Sequence, residues 1–392
     1  MPNPNKNHRY AALAVATLLL ALNFWAWSLI SPLATSYKHI FGLSPLAVSA
    51  LVAAPVLVGS LGRIPLGMLT DRYGGRRMLT AVCWLAGLSV GGLALAGSYS
   101  SVLAAAVCLG IAGAAFAVGV PFVNSWFSRR QRGFALGIYA MGNAGTAVSG
   151  LLTPRLADLL GRSTLFWIIT ALLIAAGTSM AVFGRDAPGW RPVRTPLRHQ
   201  LKAAADWWFT WRLALLYAVT FGAFVALGLY LPVLLNQSYG LEPADAAARA
   251  AGFVLLATLA RPFGGWLSDR LSGIIIVRTV FFALFVLAGI AAARPALSPI
   301  GTFIYLAIAA TLGIGNGAVF AIIGHRCKGP LVGTVTGLVG AAGGLGGYFP
   351  PLIMGFSYQM FKSYSAALVL LAVICLIIFL NLGRLLGRKT RY

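Results

Sequence analysis

The stretch RIPLGMLTDR, residues 63–72, closes a long apolar run and opens on an arginine; RPFGGWLSDR, residues 261–270, does the same 198 positions later. Arg63, Gly67, Leu69, Asp71 and Arg72 recur as Arg261, Gly265, Leu267, Asp269 and Arg270. A helix through either copy sets the arginine eight residues before an aspartate, about 12 Å at ~1.5 Å per residue. The hydrocarbon core of a bilayer is about 30 Å thick, so with the aspartate at a membrane boundary each guanidinium starts near the middle. A central arginine costs roughly 2.5–3.5 kcal/mol or more on insertion scales. Snorkelling covers only about half the distance back to the headgroups. A residue this expensive, placed twice in one register, points to a function.

The rest of the chain reads as membrane. Of its 392 residues 59% are hydrophobic and 9% charged, and the mean hydropathy is +0.85. A soluble domain carries about 25% charged residues. Apolar runs of bilayer length lie near 11–34, 44–70, 79–98, 101–126, 133–154 and 163–184, then 209–236, 245–268, 274–293, 299–324, 330–355 and 364–383. The expected fold class is an all-α polytopic membrane protein of about twelve transmembrane helices. The ~10-residue alternating strands of a membrane barrel are missing from this pattern.

A net charge of +23 would suggest nucleic acid in a soluble protein, but its placement argues otherwise. With the N-terminus inside, 22 of the 30 Lys and Arg residues fall in cytosolic segments, from Lys6 and Arg9 through Lys328 to Arg388, Lys389 and Arg391. Six, Lys362 among them, fall in external loops. This positive-inside bias predicts a multi-pass protein of the cell membrane, inner where there are two, with both termini cytoplasmic. Membrane lipid is then an expected partner and nucleic acid is not, and a monomer is expected. Cys83, Cys108, Cys327 and Cys375 form no C-x-x-C pair, so no metal, disulfide or cofactor is expected. No small-residue cleavage signature follows the first apolar run, which is read as retained.

Residues 184–210, GRDAPGWRPVRTPLRHQLKAAADWWFT, interrupt the apolar pattern with arginine and proline. Six spans precede them and six follow, which predicts an N-terminal half over 1–184, a cytosolic linker over 185–208 and a C-terminal half over 209–392. Gly142 and Gly145 map at the same 198-residue offset onto Gly340 and Gly343. Matches at one offset predict duplicated six-helix halves, pseudo-symmetric about an axis along the membrane normal, with a central pathway.

The seven acidic residues, Asp71, Asp158, Asp186, Asp206, Glu242, Asp245 and Asp269, all sit at span ends or in loops. The histidines, His8, His39, His199 and His325, also avoid the span centres. With no carboxylate at mid-span, the counter-charge for Arg63 and Arg261 is expected from outside the protein, as an anion. Arginine suits a planar oxyanion because its flat fork makes two parallel hydrogen bonds. Asp71, Arg72, Asp269 and Arg270 lie at the boundary and read as inter-helix latches and topology signals.

The fifth and eleventh spans contain GIYAMGNAGTAVSG (137–150) and GLVGAAGGLGGYFPP (337–351). Glycines at three- and four-residue spacing let helix backbones approach closely, and they narrow any pathway beside them. Asn143 in that seam is either interhelix glue or a hydrogen-bond donor to an oxyanion. Asn316, in the glycine-rich tenth span, has a weaker claim.

GMLTDRYGGRR (67–77) resembles the loop motif of the major facilitator superfamily. More specifically, residues 117–147 and 317–351 resemble the two glycine-rich signatures of its nitrate/nitrite porter family, and the likeness covers essentially all the spans. The resemblance implies a nitrate-binding arginine pair, falling on Arg63 and Arg261. It also implies an aromatic sandwich around the planar anion, falling on Phe116, Tyr217 and Phe221, and a signature asparagine at Asn143; Gly145 and Gly343, in the glycine seams, are expected to line the substrate site with them. Ala321 stands where the family often carries a lysine.

The expected function is secondary transport of nitrate, nitrite or both, these small inorganic anions being the partners, by alternating access and through nitrate/nitrite exchange. The alternatives are a proton-coupled nitrate symporter, a porter for another small anion such as a carboxylate, and a sensor that binds the anion without moving it. An enzyme is not expected, because the spans hold neither a nucleophile–base pair nor a metal cluster.

Overall fold

Lipid offers the backbone no hydrogen bonds, so a spanning segment must satisfy its own N–H and C=O groups. The long apolar runs answer by becoming helices. The computed structural model describes residues 6–327, 331–361 and 363–386. Lys328, Lys362, Arg388, Lys389 and Arg391, counted above for topology, lie outside the described residues. Among the described residues there is no strand. The first six spans are built from α1 (Lys6–Trp27), α2 (Ile30–Phe41), α3 (Pro45–Tyr73), α4 (Gly75–Leu95), α5 (Tyr99–Gly113), α6 (Ala115–Trp126), α7 (Arg132–Ala140), α8 (Ala144–Leu160) and α9 (Arg162–Phe183). A short helix, α10 (Leu197–Asp206), precedes α11 (Trp208–Tyr239), α12 (Pro243–Arg270) and α13 (Gly273–Ala292). The chain then runs through α14 (Thr302–Arg326), α15 (Val332–Gly346), α16 (Phe349–Phe361) and α17 (Ser365–Leu386).

Ten helical stretches among the described residues are long and apolar enough to cross a membrane. The other two expected spans, the fifth and eleventh, are split where their glycines cluster. A 3₁₀ turn at Met141–Asn143 separates α7 from α8, and Gly347 and Tyr348 separate α15 from α16. Glycine-rich helix is weak helix, so a break there is expected.

Helix ends follow local chemistry. Ser44 accepts from Ala47 N at 3.2 Å and Pro45 opens α3. Ser98 and Ser101 cap α5 reciprocally. The linker adds the amphipathic α10, whose Gln200 and Ala204 are buried, a helix the sequence reading does not anticipate. Val193 N in the linker donates to Asp71 O at 3.0 Å.

Contacts group the chain into two compact units. One holds Met1–Ser128, Ile138–Asp206 and Cys327–Ala341; the other holds Arg129–Gly137, Trp207–Arg326 and Ala342–Tyr392. Most of α7 thus packs with elements of the second unit, and the first two-thirds of α15 with elements of the first.

Gly74 alone joins α3 to α4, at φ +89° and ψ 155°, a region open essentially to glycine. The Asp186 carboxylate stands where a Cβ would project, and it accepts from Arg76 N at 3.0 Å. Burial raises the Asp186 carboxyl above its ordinary range, while the N–H groups of Arg76 and Gly75 and the charges of Arg76 and Arg77 pull it back. Gly74→Ala therefore meets backbone strain of roughly 1–3 kcal/mol plus a displaced carboxylate. Thermal unfolding of the purified variant should show a lowered midpoint; an unchanged midpoint would mean this turn carries no strain.

Candidate functional site

In the first unit Arg63 lies on α3 and is 1% exposed, among the largest fully buried side chains in the protein. α5 stops at Gly113 and α6 restarts at Ala115, so the Ala117 N–H turns to Ala114 O at 3.0 Å. Arg63 Nε donates to the Gly113 carbonyl at 3.3 Å, and Nη1 donates to the Gly340 carbonyl on α15 at 2.6 Å. Both acceptors are neutral, and they fix the plane of the guanidinium. Bare backbone makes this possible: a Cβ at Gly340 would lie 3.1 Å from Arg63 Cδ, and one at Gly337 would crowd the Arg63 carbonyl. Three residues beyond Gly113, Phe116 stacks on Tyr139 at 5.7 Å between centroids, and Tyr139 Oη donates to Ala115 O at 2.9 Å.

In the second unit Arg261 lies on α12 and is likewise 1% exposed. Its guanidinium carbon is 5.0 Å from the Phe224 ring centroid and 5.7 Å from that of Phe221, within cation–π range. Tyr217 stacks on Phe221 at 5.0 Å and takes the edge of Phe320 at 4.8 Å. Tyr217, Phe221 and Phe224 are spaced by four and three residues, so α11 presents them on one face. Phe224, Phe320 and Tyr139 are absent from the sequence-derived site; the helical spacing after Phe221 was the available signal for Phe224. α12 is hemmed in by small residues, with Gly137 and Gly317 both against the Arg261 carbonyl.

Near the C-terminal ends of α3 and α12 each aspartate caps another helix. Asp71 accepts from Gly333 N and Thr334 N, both at 2.9 Å, and from Thr334 Oγ1 at 3.0 Å. Asp269 accepts from Gly133 N at 2.9 Å and Phe134 N at 2.8 Å, and His325 Nε2 lies 2.7 Å from its Oδ1. A carboxylate on the free N–H groups of a helix start is a strong, charge-assisted contact. Arg72 and Arg270 take no part in these caps. Both are exposed and lie over aromatic rings of their own helices, Tyr73 and Trp266.

Residues 16–349 match the model of the Major Facilitator Superfamily. A protein of Mycobacterium tuberculosis described as a probable nitrate/nitrite transporter, NarK2, is 46% identical over 371 residues, 94% of either chain. A nitrite extrusion protein of Bacillus subtilis is 36% identical over 373 residues, 95% of this chain and 93% of that one. The chain belongs to the nitrate/nitrite porter family of the major facilitator superfamily. The fold agrees: the fucose:proton symporter FucP of E. coli superposes with a TM-score of 0.76 at 16% identity, covering 97% of this chain and all of that one. Membership makes the protein a membrane transporter, not an enzyme.

Within this porter the repeat is real but its register slides. Gly67 packs on Gly333 and Gly265 packs on Gly133; Gly337 faces the Arg63 carbonyl and Gly137 faces that of Arg261. The span bearing each arginine repeats at 198 positions, but its glycine partners repeat at 200. Past the 3₁₀ turn the equivalence moves again, since Gly145 faces the Ala21 carbonyl and Gly346 faces the Ala218 carbonyl. The 198-residue pairing of Gly142 with Gly340 and of Gly145 with Gly343 is therefore not the one the packing keeps; the slip is already present at Gly133 and Gly137, ahead of the 3₁₀ turn, so a two-residue length difference between the halves produces it. Gly142 packs on Leu20, and Gly145 brings α8 against α1, whereas Gly343 makes room for the Tyr217 ring. Asn143, 3% exposed, donates Nδ2 to Ala140 O at 2.7 Å, within its own helix break.

These placements separate two glycines that look alike in sequence. A Cβ at Gly145 would overlap backbone of α1, so Gly145→Ala should cost stability on the order of 1–3 kcal/mol. A Cβ at Gly343 would overlap Tyr217 and displace the aromatic wall beside Arg261. Gly343→Ala should lower transport at least tenfold in correctly inserted protein while moving the unfolding midpoint less than Gly145→Ala does. Equal transport loss at equal destabilisation would make both residues mere packing.

Proposed function

We propose that the protein carries nitrate, nitrite or both across the cell membrane by alternating access, with Arg63 and Arg261 taking the anion. The observation that supports this most is the full burial of two arginines at matched positions in α3 and α12, in a chain whose acids all lie within two residues of a helix end or between helices. The names of the relatives, a nitrate/nitrite transporter and a nitrite extrusion protein, supply the substrate class. A planar oxyanion fits a guanidinium fork, and Phe116, Tyr217 and Phe221 offer flat faces for it to lie between. Gly343 leaves space for the Tyr217 ring, Gly145 brings α8 against α1, and Asn143 stiffens the break in the fifth span. Asp71 and Asp269 act as latches whose release frees the starts of α15 and α7; Arg72 and Arg270 serve as boundary charges. Both termini face the cytosol, and the working halves are 1–184 and 209–392 with the linker 185–208. The porter works as a monomer.

The transport mode follows from charge. An inside-negative potential opposes entry of one anion by about 2.3 kcal/mol per 100 mV. Aspartate, glutamate and histidine are absent from the span centres, so no side chain there titrates to bring in a compensating proton. One-for-one exchange of nitrate for nitrite moves no net charge. Reorienting without an anion also carries two positive charges through a dry interior, at several kcal/mol. Exchange is the mode this chain supports.

The test is counterflow in proteoliposomes. Vesicles preloaded with nitrite should take up labelled nitrate much faster than empty ones, with little response to a pH gradient. Uptake that needs an inward proton gradient and ignores internal nitrite would mean proton symport.

A further inference from the structure

Several asparagines in the spans of this protein bond their amide nitrogen to a backbone carbonyl of their own helix or turn. Asn23 Nδ2 donates to Leu19 O at 2.8 Å, Asn381 to Ile377 O at 2.8 Å and Asn143 to Ala140 O at 2.7 Å. Asn316 on α14 departs from this habit. It is 2% exposed, and among the described residues both its Nδ2 and its Oδ1 are buried without a hydrogen-bond partner. A buried amide with neither end bonded destabilises the fold, and an apolar side chain of the same size would avoid the loss. Keeping it there requires a reason.

The neighbours of Asn316 supply one. The next residue, Gly317, packs against the carbonyl of Arg261, and Gly315 packs near Thr220 on α11. One turn along the same face, Phe320 meets the ring of Tyr217 at 4.8 Å. The side of α14 that carries Asn316 and Phe320 therefore turns toward the aromatic wall of α11, beside the helix that bears Arg261.

We propose that Asn316 is a specificity-determining residue that donates Nδ2–H to the third oxygen of nitrate. The inference rests on the anion-porter reading above. Nitrate is trigonal and planar, and each oxygen accepts more than one hydrogen bond; when both guanidiniums share the same two oxygens, the third projects away and needs its own donor. Nitrite has two oxygens, and the fork uses both. Asn316 thus serves nitrate and is idle for nitrite. Its Oδ1 accepts from a water or guanidinium N–H that accompanies the ion. A polar amide at this buried position is kept for selectivity at a cost in stability.

The experiment measures exchange kinetics for nitrate and nitrite separately, in proteoliposomes of wild type, Asn316→Leu and Asn316→Ala, together with the unfolding midpoint of each empty protein. The nitrate KM should rise about tenfold or more in both variants, the weight of one hydrogen bond to an ion. The nitrite KM should stay within about twofold. Asn316→Leu should leave the empty protein no less stable than wild type; Asn316→Ala, which adds no bulk, gives the same ratio should leucine disturb insertion. Unchanged KM values for both anions, or a rise by one common factor, overturn the proposal while the porter reading stands. A wild-type protein that moves neither anion overturns the porter reading and this inference with it.

Discussion

A guanidinium kept in a dry interior is the constraint on which the rest of this structure depends. Desolvating such an ion costs several kcal/mol even after relaxation, and the chain does it at both Arg63 and Arg261. Satisfying them shapes the helices around each. The break after Gly113 turns a backbone carbonyl toward Arg63 Nε, and glycine at 340 brings a second within 2.6 Å of Nη1. Around Arg261 the solution is aromatic, with Phe221 and Phe224 presenting ring faces at 5.7 and 5.0 Å. Carbonyl oxygens and ring faces are electron-rich but carry no net charge, so they hold a cation without neutralising it.

The glycine seams follow from the same constraint. α15 must lie close enough to α3 for the Gly340 carbonyl to reach Arg63, and Gly67, Gly333 and Gly337 permit that approach. Each seam is fastened near one end by a carboxylate on a helix start, Asp71 on α15 and Asp269 on α7. Such caps are strong while made, yet they involve few atoms and can be broken as a unit. Under the alternating access proposed above, such a fastening suits helices that part and rejoin. The breaks at Met141–Asn143 and at Gly347 and Tyr348 give the same two spans a place to bend.

Much of this was legible in the sequence, because burial in lipid leaves a coarse signature. The apolar spans, the arginines inside them and the aspartates at their ends all stand out in the sequence; in the structure the spans are helices, Arg63 and Arg261 are buried, and Asp71 and Asp269 accept from helix starts. Finer features were hidden for identifiable reasons. The repeat between the glycine seams reads as 198 residues in sequence, but contact geometry makes it 200 and then 201, because a two-residue length difference lies ahead of Gly133 and the helix break shifts the pairing once more beyond it. Tyr139 and Phe320 join the arginine neighbourhoods only through tertiary packing, which no local period encodes. Asn143 reads as interhelix glue or a ligand, and one of its amide N–H groups closes its own turn, a contact three residues long that composition cannot distinguish. α10 is hard to read from sequence because it is short, charged and preceded by prolines.

The central claim is that both buried arginines hold the anion through a planar pair of hydrogen bonds, and substitution by lysine tests it most directly. Lysine keeps the charge but offers a compact point donor in place of the fork. Nitrate bound to folded protein should raise the unfolding midpoint of the wild type by mass action. For Arg63→Lys and Arg261→Lys, correctly inserted, the account predicts that nitrate-dependent stabilisation is lost at concentrations that saturate the wild type. Wild-type stabilisation by nitrate in either lysine variant would contradict it and remove that arginine from the site.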